Sequence, residues 1–246
     1  MSEDNSEKMS FEEWDDVNIK KKLLRGIYGY GFEHPSPIQK KSIIPMINRR
    51  DIIAQAQSGT GKTGAYSISC LEIIDSDVNK TQAVILTPTR ELARQVKDVI
   101  CSFSVQLNTK IKLLIGGTSV KEDVQDLSDN VYHIVVGTPG RVYDMIRNNN
   151  LDTKDVGLIV LDEADEMLSF GFKDQIYDIF QFLNTEAQVT LFSATMPPEL
   201  EDLTVKFLRD PIKILIKKEM VTLEGIKQYY ISVDTDDDKF AVLKDI

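Results

Sequence analysis

Basic charge is scarce in this sequence. Its 246 residues carry 29 Lys and Arg against 39 Asp and Glu, a net charge of −10. That balance argues against a protein that coats nucleic acid by bulk charge, which needs a surplus of cations. Cysteine is scarce too: the two present, Cys70 and Cys101, fall in segments that read as helical. They argue against a disulfide scaffold, suit a reducing compartment, and read as small buried hydrophobes. No apolar run approaches the ~20 residues needed to cross a bilayer. The opening MSEDNSEKMSFEEW has neither the basic start nor the apolar core of a secretory signal, so a cytoplasmic location is expected. What is present, 42% hydrophobic and 28% charged residues, is enough for a sizeable globular core.

Residues 1–10 read as a polar, disordered tail. Phe11 and Trp14 open a helix-like stretch that runs through Val17, Ile19, Leu23, Leu24 and Ile27 and stops at Gly29-Tyr30-Gly31. A second helix is expected over 37–47, with Pro37 tolerated in its first turn. From Asp51 a regular alternation begins. Strand-like runs at 51–56, 82–86, 110–115, 133–136, 158–161, 189–192 and 212–216 are separated by helical patterns near 62–75, 90–103, 118–128, 140–148, 172–184 and 197–208. Nearly continuous apolar strands between helices predict an α/β fold, a mostly parallel sheet covered by helices on both faces. After Ile216 the pattern changes: 217–225 reads as a linker, 226–233 alternates like a strand, and 239–246 could begin a helix. One strand and one short helix cannot form a core, so 226–246 reads as the start of a second, truncated domain.

The strongest chemical signal is Ala56-Gln57-Ser58-Gly59-Thr60-Gly61-Lys62-Thr63, which follows a strand and opens a helix. This is the setting of a phosphate-binding loop, although Ala56 stands where such loops usually begin with glycine. Backbone amides and a helix N-terminus cradle phosphate oxygens, Lys62 reaches the β- and γ-phosphates, and the Thr63 hydroxyl can ligate Mg²⁺. The apolar run Leu158-Ile159-Val160-Leu161 ends in Asp162-Glu163-Ala164-Asp165. Alone, an Asp-Glu pair is as easily harmless charge at a helix start. Downstream of a phosphate loop, Asp162 is expected to hold Mg²⁺ and Glu163 to act as general base toward water.

The letters at 162–165 resemble the name-giving motif of the DEAD-box RNA helicases, and the remaining motifs follow in that family's order. Gly31-Phe32-x-x-Pro35-Ser36-x-Ile38-Gln39 resembles its adenine-reading Q motif, with Trp14 as the isolated upstream aromatic. Pro88-Thr89-Arg90-Glu91-Leu92-Ala93, Gly116-Gly117 and Thr138-Pro139-Gly140-Arg141 resemble its RNA-backbone motifs, and Ser193-Ala194-Thr195 its motif III. Coverage runs from about Phe11 to the chain end. Within the family, 169–180 and 217–228 are most similar to the translation-initiation branch. The resemblance implies a RecA-like ATP-binding domain over 11–216 and an ATP- and Mg²⁺-dependent helicase that unwinds mRNA in cap-dependent initiation. It implies RNA and translation-initiation scaffold proteins as partners. An exon-junction-type RNA clamp locked by ATP is the alternative. The family's site is completed by arginines of a second RecA-like domain, so this chain alone is expected to be nearly inactive.

Several roles have a physical rationale within that resemblance. A glutamine amide matches the donor–acceptor edge of adenine, which suits Gln39. Phe32 offers a stacking face. Trp14 is open between packing the Q-motif segment and touching nucleotide. The glycines, threonines and prolines of the RNA motifs suit sequence-independent contact with phosphates and sugars. Thr138 to Arg141 could otherwise be an ordinary helix start. Ser193 and Thr195 are expected either to bond Asp165, coupling nucleotide state to domain closure, or to cap the helix after them. His34 and His133 read as surface or structural residues.

Overall fold

Ala83–Leu86, Ile134–Gly137 and Leu158–Leu161 are apolar on both faces, and strands of this kind are stable only inside a sheet covered on both sides. A computed structural model places them so. It describes residues 10–216, 229–233 and 235–245. These fall into two units, within Met1–Ile216 and within Lys217–Ile246. The expected tail, apart from Ser10, and the expected linker 217–225 lie outside the described residues.

In the first unit, β1 (Ile52–Gln55), β2 (Ala83–Leu86), β3 (Ile111–Leu114), β4 (Ile134–Gly137), β5 (Leu158–Leu161), β6 (Gln188–Ser193) and β7 (Ile212–Leu215) form one sheet in the order β3-β4-β2-β5-β6-β1-β7. Every pairing is parallel. Strands β2, β4, β5 and β6 are buried throughout and β1 in all but Gln55, whereas the edge strands β3 and β7 are partly exposed. The helices are α1 (Lys21–Gly29), α2 (Pro37–Ile47), α3 (Lys62–Ile73), α4 (Arg90–Phe103), α5 (Val120–Asp129), α6 (Pro139–Arg147), α7 (Ala164–Ser169), α8 (Lys173–Phe182) and α9 (Pro198–Phe207). The second unit contains α10 (Asp236–Asp245).

The register decides what meets at the functional edge. Gln55 lies beside Ser193, Leu161 beside Leu191, and Leu86 beside both Leu161 and Gly137. The loops that follow all these strands therefore emerge on one side, where ligands of open α/β sheets bind. The order splits that side in two. The loops after β1, β6 and β5 carry the expected phosphate loop, motif III and acidic motif. Those after β2, β4 and β3 carry the three expected RNA motifs.

Three expectations about elements are corrected. The stretch from Phe11 to Ile27 is not one helix. A 3-10 turn at Trp14–Asp16 is followed by non-helical backbone before α1. The Asp16 carboxylate accepts from the amides of Glu12 and Glu13, a local alternative to helix bonding. Helix α7 was not anticipated, because six residues carry no readable period. Residues 229–233 form no strand, and Tyr229 and Tyr230 are exposed rather than packed against a neighbouring strand; 226–228 lie outside the described residues. Cys70 is buried, which pushes its thiol up to about 12, but Cys101 is half-buried at most.

Trp14 is fully buried and stacks near-parallel on Phe32 at 6.5 Å, beside Phe11 at 5.7 Å. Phe32 also meets Tyr30 and Phe103 edge-on. This aromatic cluster fastens the segment before α2 to α4, and packing is the role the structure gives Trp14. Among the described residues its indole N–H has no partner. Trp14→Ala should therefore cost about 3–5 kcal/mol in denaturant unfolding. Trp14→Phe, which also removes the orphaned donor, should cost clearly less. Equal costs would mean that the ring contacts do not hold this segment.

Candidate functional site

Residues 56–61 turn from β1 into α3, with Gly59 at φ 81° and Gly61 at φ 96°, conformations that suit glycine. No side chain caps α3, so its first amides are free for a ligand. Gln57, Ser58 and Gly59 are exposed, whereas Ala56, Thr60 and Lys62 are buried; Thr60 Oγ1 donates to the Gln57 carbonyl at 2.7 Å and pins the loop.

Lys62 Nζ donates to Glu163 Oε2 at 2.8 Å, and Ser58 Oγ donates to Glu163 Oε1 at 2.9 Å. The two charged side chains are only 4% and 12% exposed. Glu163 itself sits in the left-handed region at φ 47°, a strained placement for a non-glycine residue that is typical of functional sites. Asp162 lies beneath it. Its Oδ1 accepts the Glu163 amide at 3.1 Å, and its Oδ2 accepts the Tyr66 hydroxyl at 2.7 Å. Burial pushes the Asp162 carboxyl up to about 6, against the Tyr66 hydrogen bond and the Lys62 charge. Tyr66, on α3, is a site residue that sequence reasoning missed. Its i, i+3 relation to Thr63 was the available signal.

The Q-motif residues press on the same loop. Gln39 Nε2 donates to the Gly61 carbonyl at 3.2 Å and Gln39 Oε1 accepts the Ser36 amide at 2.7 Å, with the side chain only 2% exposed. A Cβ on Gly64 would stand 2.6 Å from both Gln39 Nε2 and Phe32 Cε2, so this contact is close. Gln39 is thus engaged as a strut between α2 and the phosphate loop, which differs from an amide held open for adenine. Phe32 remains partly exposed.

Motif III divides. Thr195 binds Asp165 Oδ2 through both its amide, at 2.9 Å, and its hydroxyl, at 2.6 Å. The Ser193 hydroxyl donates to the Thr195 carbonyl at 2.6 Å, which shapes the turn, and it also lies within hydrogen-bonding reach of the Asp165 carboxylate. Partial burial pushes the Asp165 carboxyl up, but the Thr195 hydrogen bonds lead those that outweigh it, and the net direction is down. Neither residue caps α9, whose N-cap is Pro197.

The other half of the edge forms an open groove of about 750 Å³ lined by Pro88, Thr89, Arg90, Gly116, Thr138, Gly140 and Arg141, together with Glu91, Asp144, Phe170 and Phe172. Two helices, α4 and α6, begin there. Pro139 is buried in the first turn of α6. The Arg90 guanidinium lies across Gly116-Gly117, so close that a Cβ on Gly117 would fall 2.4 Å from its Nη1. Arg141 departs from the expected free phosphate ligand. It is buried and pairs with Asp123, and it donates to the Thr118 hydroxyl and carbonyl at 3.1 and 2.8 Å. Asp123 also meets Lys112 at 3.0 Å. Arg141 therefore holds the Gly116–Thr118 turn in place. Phe170, 58% exposed, and Phe172 are groove residues to which the resemblance over 169–180 had given no role.

A phosphate loop joined to an acidic strand end by Lys62 and Glu163 defines a P-loop nucleotide-binding domain. The family is narrower. The DEAD/DEAH box helicase family model matches residues 36–203, well over half the chain, and the chain belongs to that family. It is 55% identical over 233 residues to the ATP-dependent RNA helicase eIF4A of Schizosaccharomyces pombe, covering 95% of this chain and 59% of that protein. It superposes on a DEAD box protein from Methanococcus jannaschii with a TM-score of 0.82 and 37% identity, covering 95% of this chain and 62% of the other. It also superposes on Dbp5 of Saccharomyces cerevisiae, solved bound to RNA and ADP BeF3, with a TM-score of 0.84 and 32% identity over 95% of this chain and 59% of that one. The chain thus spans about three-fifths of the length of these relatives.

The raised Asp162 pKa has a testable sign. Between about pH 4 and pH 6 the folded chain binds a proton at Asp162 that the unfolded chain releases, so this group's contribution to stability falls as pH rises through that window. Asp162→Asn should therefore raise the melting temperature at pH 8 by a few degrees, with the gain fading toward pH 4. Calorimetry at the two pH values checks this; a gain independent of pH would refute it.

Proposed function

We propose that this chain is the ATP-binding part of a cytoplasmic ATP-dependent RNA helicase that works in translation initiation. The observation that carries the reading is the meeting of Lys62 and Glu163 at 2.8 Å on a sheet edge whose other half is the groove around Arg90. The fit to nucleotide rests on the uncapped start of α3 and the positive-φ glycines before it. The fit to Mg²⁺ rests on a buried carboxylate, Asp162, and the first-turn hydroxyl of Thr63, both within hydrogen-bonding reach of the Tyr66 hydroxyl. Such an ion is held by one or two protein oxygens together with substrate phosphates.

Lys62 exchanges Glu163 for the β- and γ-phosphates, and the α3 amides take further phosphate oxygens. Thr63 and Asp162 would hold Mg²⁺, which would supply positive charge against the phosphates. Glu163, released from Lys62 and Ser58, accepts a proton from the attacking water. Asp165 and Thr195 tie this chemistry to the turn after β6. Arg90 and the helix starts of the groove take RNA phosphates without reading base sequence, because every nucleotide carries the same phosphate. The translation role and its scaffold partners rest on the similarity to the fission-yeast factor.

The test separates binding from chemistry. Glu163→Gln should leave ATP binding by this chain within a few-fold of the parent. In a chain extended to the length of its relatives it should lower RNA-stimulated hydrolysis by about 10²–10⁴. Hydrolysis near the parent rate would move the base elsewhere, and failure of the parent to bind ATP would overturn the nucleotide reading.

A further inference from the structure

Tyr66 is a phenol with no access to solvent, placed one helical turn after Thr63 on the face of α3 that looks at β5 and β6. Its ring packs on Phe192 of β6 at a centroid distance of 5.3 Å. A phenylalanine would make that contact equally well, so packing does not account for the hydroxyl. The hydroxyl donates to Asp162 Oδ2 at 2.7 Å and lies within hydrogen-bonding reach of the Thr63 side chain. The other Asp162 oxygen is taken by the Glu163 amide. Among the described hydrogen bonds, Tyr66 is thus the one side-chain donor to Asp162, and it bridges the two residues proposed to hold Mg²⁺.

We propose that Tyr66 is a positioning residue for this pair, fixing the Asp162 carboxylate relative to Thr63 and thereby setting how strongly Mg²⁺ tightens nucleotide binding. The physical reason is general. A carboxylate that holds a metal, directly or through water, keeps its orientation through hydrogen bonds to groups outside the coordination shell. Loss of such a partner typically weakens metal affinity about 10–100-fold. Without the phenol, Oδ2 would have no side-chain donor in a place where Asp162 is 2% exposed, and the carboxylate would turn to find another. The bond also joins α3 to the end of β5. A shift of the phosphate loop, which opens α3, is therefore felt at Asp162 through a single hydroxyl.

This inference rests on the nucleotide reading above, and the experiment distinguishes the two. ADP affinity of the 246-residue chain is measured by calorimetry in EDTA and again in saturating Mg²⁺. Tyr66→Phe should keep the EDTA affinity within twofold of the parent while the Mg²⁺-dependent gain falls by about tenfold. In an Asp162→Asn background the same change should alter that gain less than twofold, because the residue through which Tyr66 acts is already altered. Phe192→Leu, which disturbs the ring's packing but not its hydroxyl, should lower the melting temperature and leave the gain intact. An unchanged gain in Tyr66→Phe, an equal loss with and without Mg²⁺, or a full tenfold loss in the Asp162→Asn background would overturn the positioning role. A parent chain that binds no ADP would overturn the nucleotide reading, and this inference with it.

Discussion

Lys62 and Glu163 each make the other's burial tolerable. An ammonium and a carboxylate that are 4% and 12% exposed would each cost several kcal/mol if left alone, and the 2.8 Å contact offsets that cost. The pair also closes the loop 56–61 over the end of β5, with Ser58 as a second clasp. While it stands, neither group is available for anything else. A phosphate that draws Lys62 away does two things together, because it satisfies the lysine and leaves Glu163 as a buried anion in need of a proton donor. The nearest such donor in the proposed chemistry is water. Occupancy and activation are thus linked by charge balance before any large movement is considered.

The surroundings of that pair are braced from three directions. Gln39 ties α2 to the Gly61 carbonyl, Tyr66 ties α3 to Asp162, and Thr195 ties the turn after β6 to Asp165. Each brace is a side chain from a different element reaching one short segment. All three depend on the strand order, which sets β1, β6 and β5 side by side although they are far apart in sequence. The same order makes β2 the neighbour of β5, so the groove begins one strand from the acidic motif.

Much of this was legible in the sequence. The seven strands are visible because their apolar runs are short and end in turn residues, and Pro37–Ile47 and Arg90–Phe103 fall where their helical patterns lie. The phosphate loop, the acidic motif and the groove motifs are contiguous, and contiguous signals survive without a structure. Side-chain commitments do not. Arg141 looks free in sequence, and only the fold brings Asp123 to it; Gln39 looks like an amide awaiting a ligand, and only the fold supplies Gly61 and Ser36. Ser193 and Thr195 have the same chemistry, and only the turn shows that both come within reach of Asp165 and that Thr195 adds a second bond through its amide. Phe170 and Phe172 enter the groove from a loop whose sequence has no period to read.

The groove's lining has a thermodynamic consequence. In the proposed role, its attraction for a phosphate chain would come chiefly from helix starts, hydroxyls and one exposed arginine, with Glu91 and Asp144 at its wall. Dipoles and amides displace few of the cations condensed on a nucleic acid, whereas each lysine or arginine that neutralises a phosphate frees about one. A strand held here would therefore release few counterions on binding, and its affinity would change only gently with ionic strength. What loosens such a complex is a change in the shape of the surface that presents those amides. That would suit a protein with a net charge of −10, because its grip on an anion would depend on geometry and little on a charge it does not have.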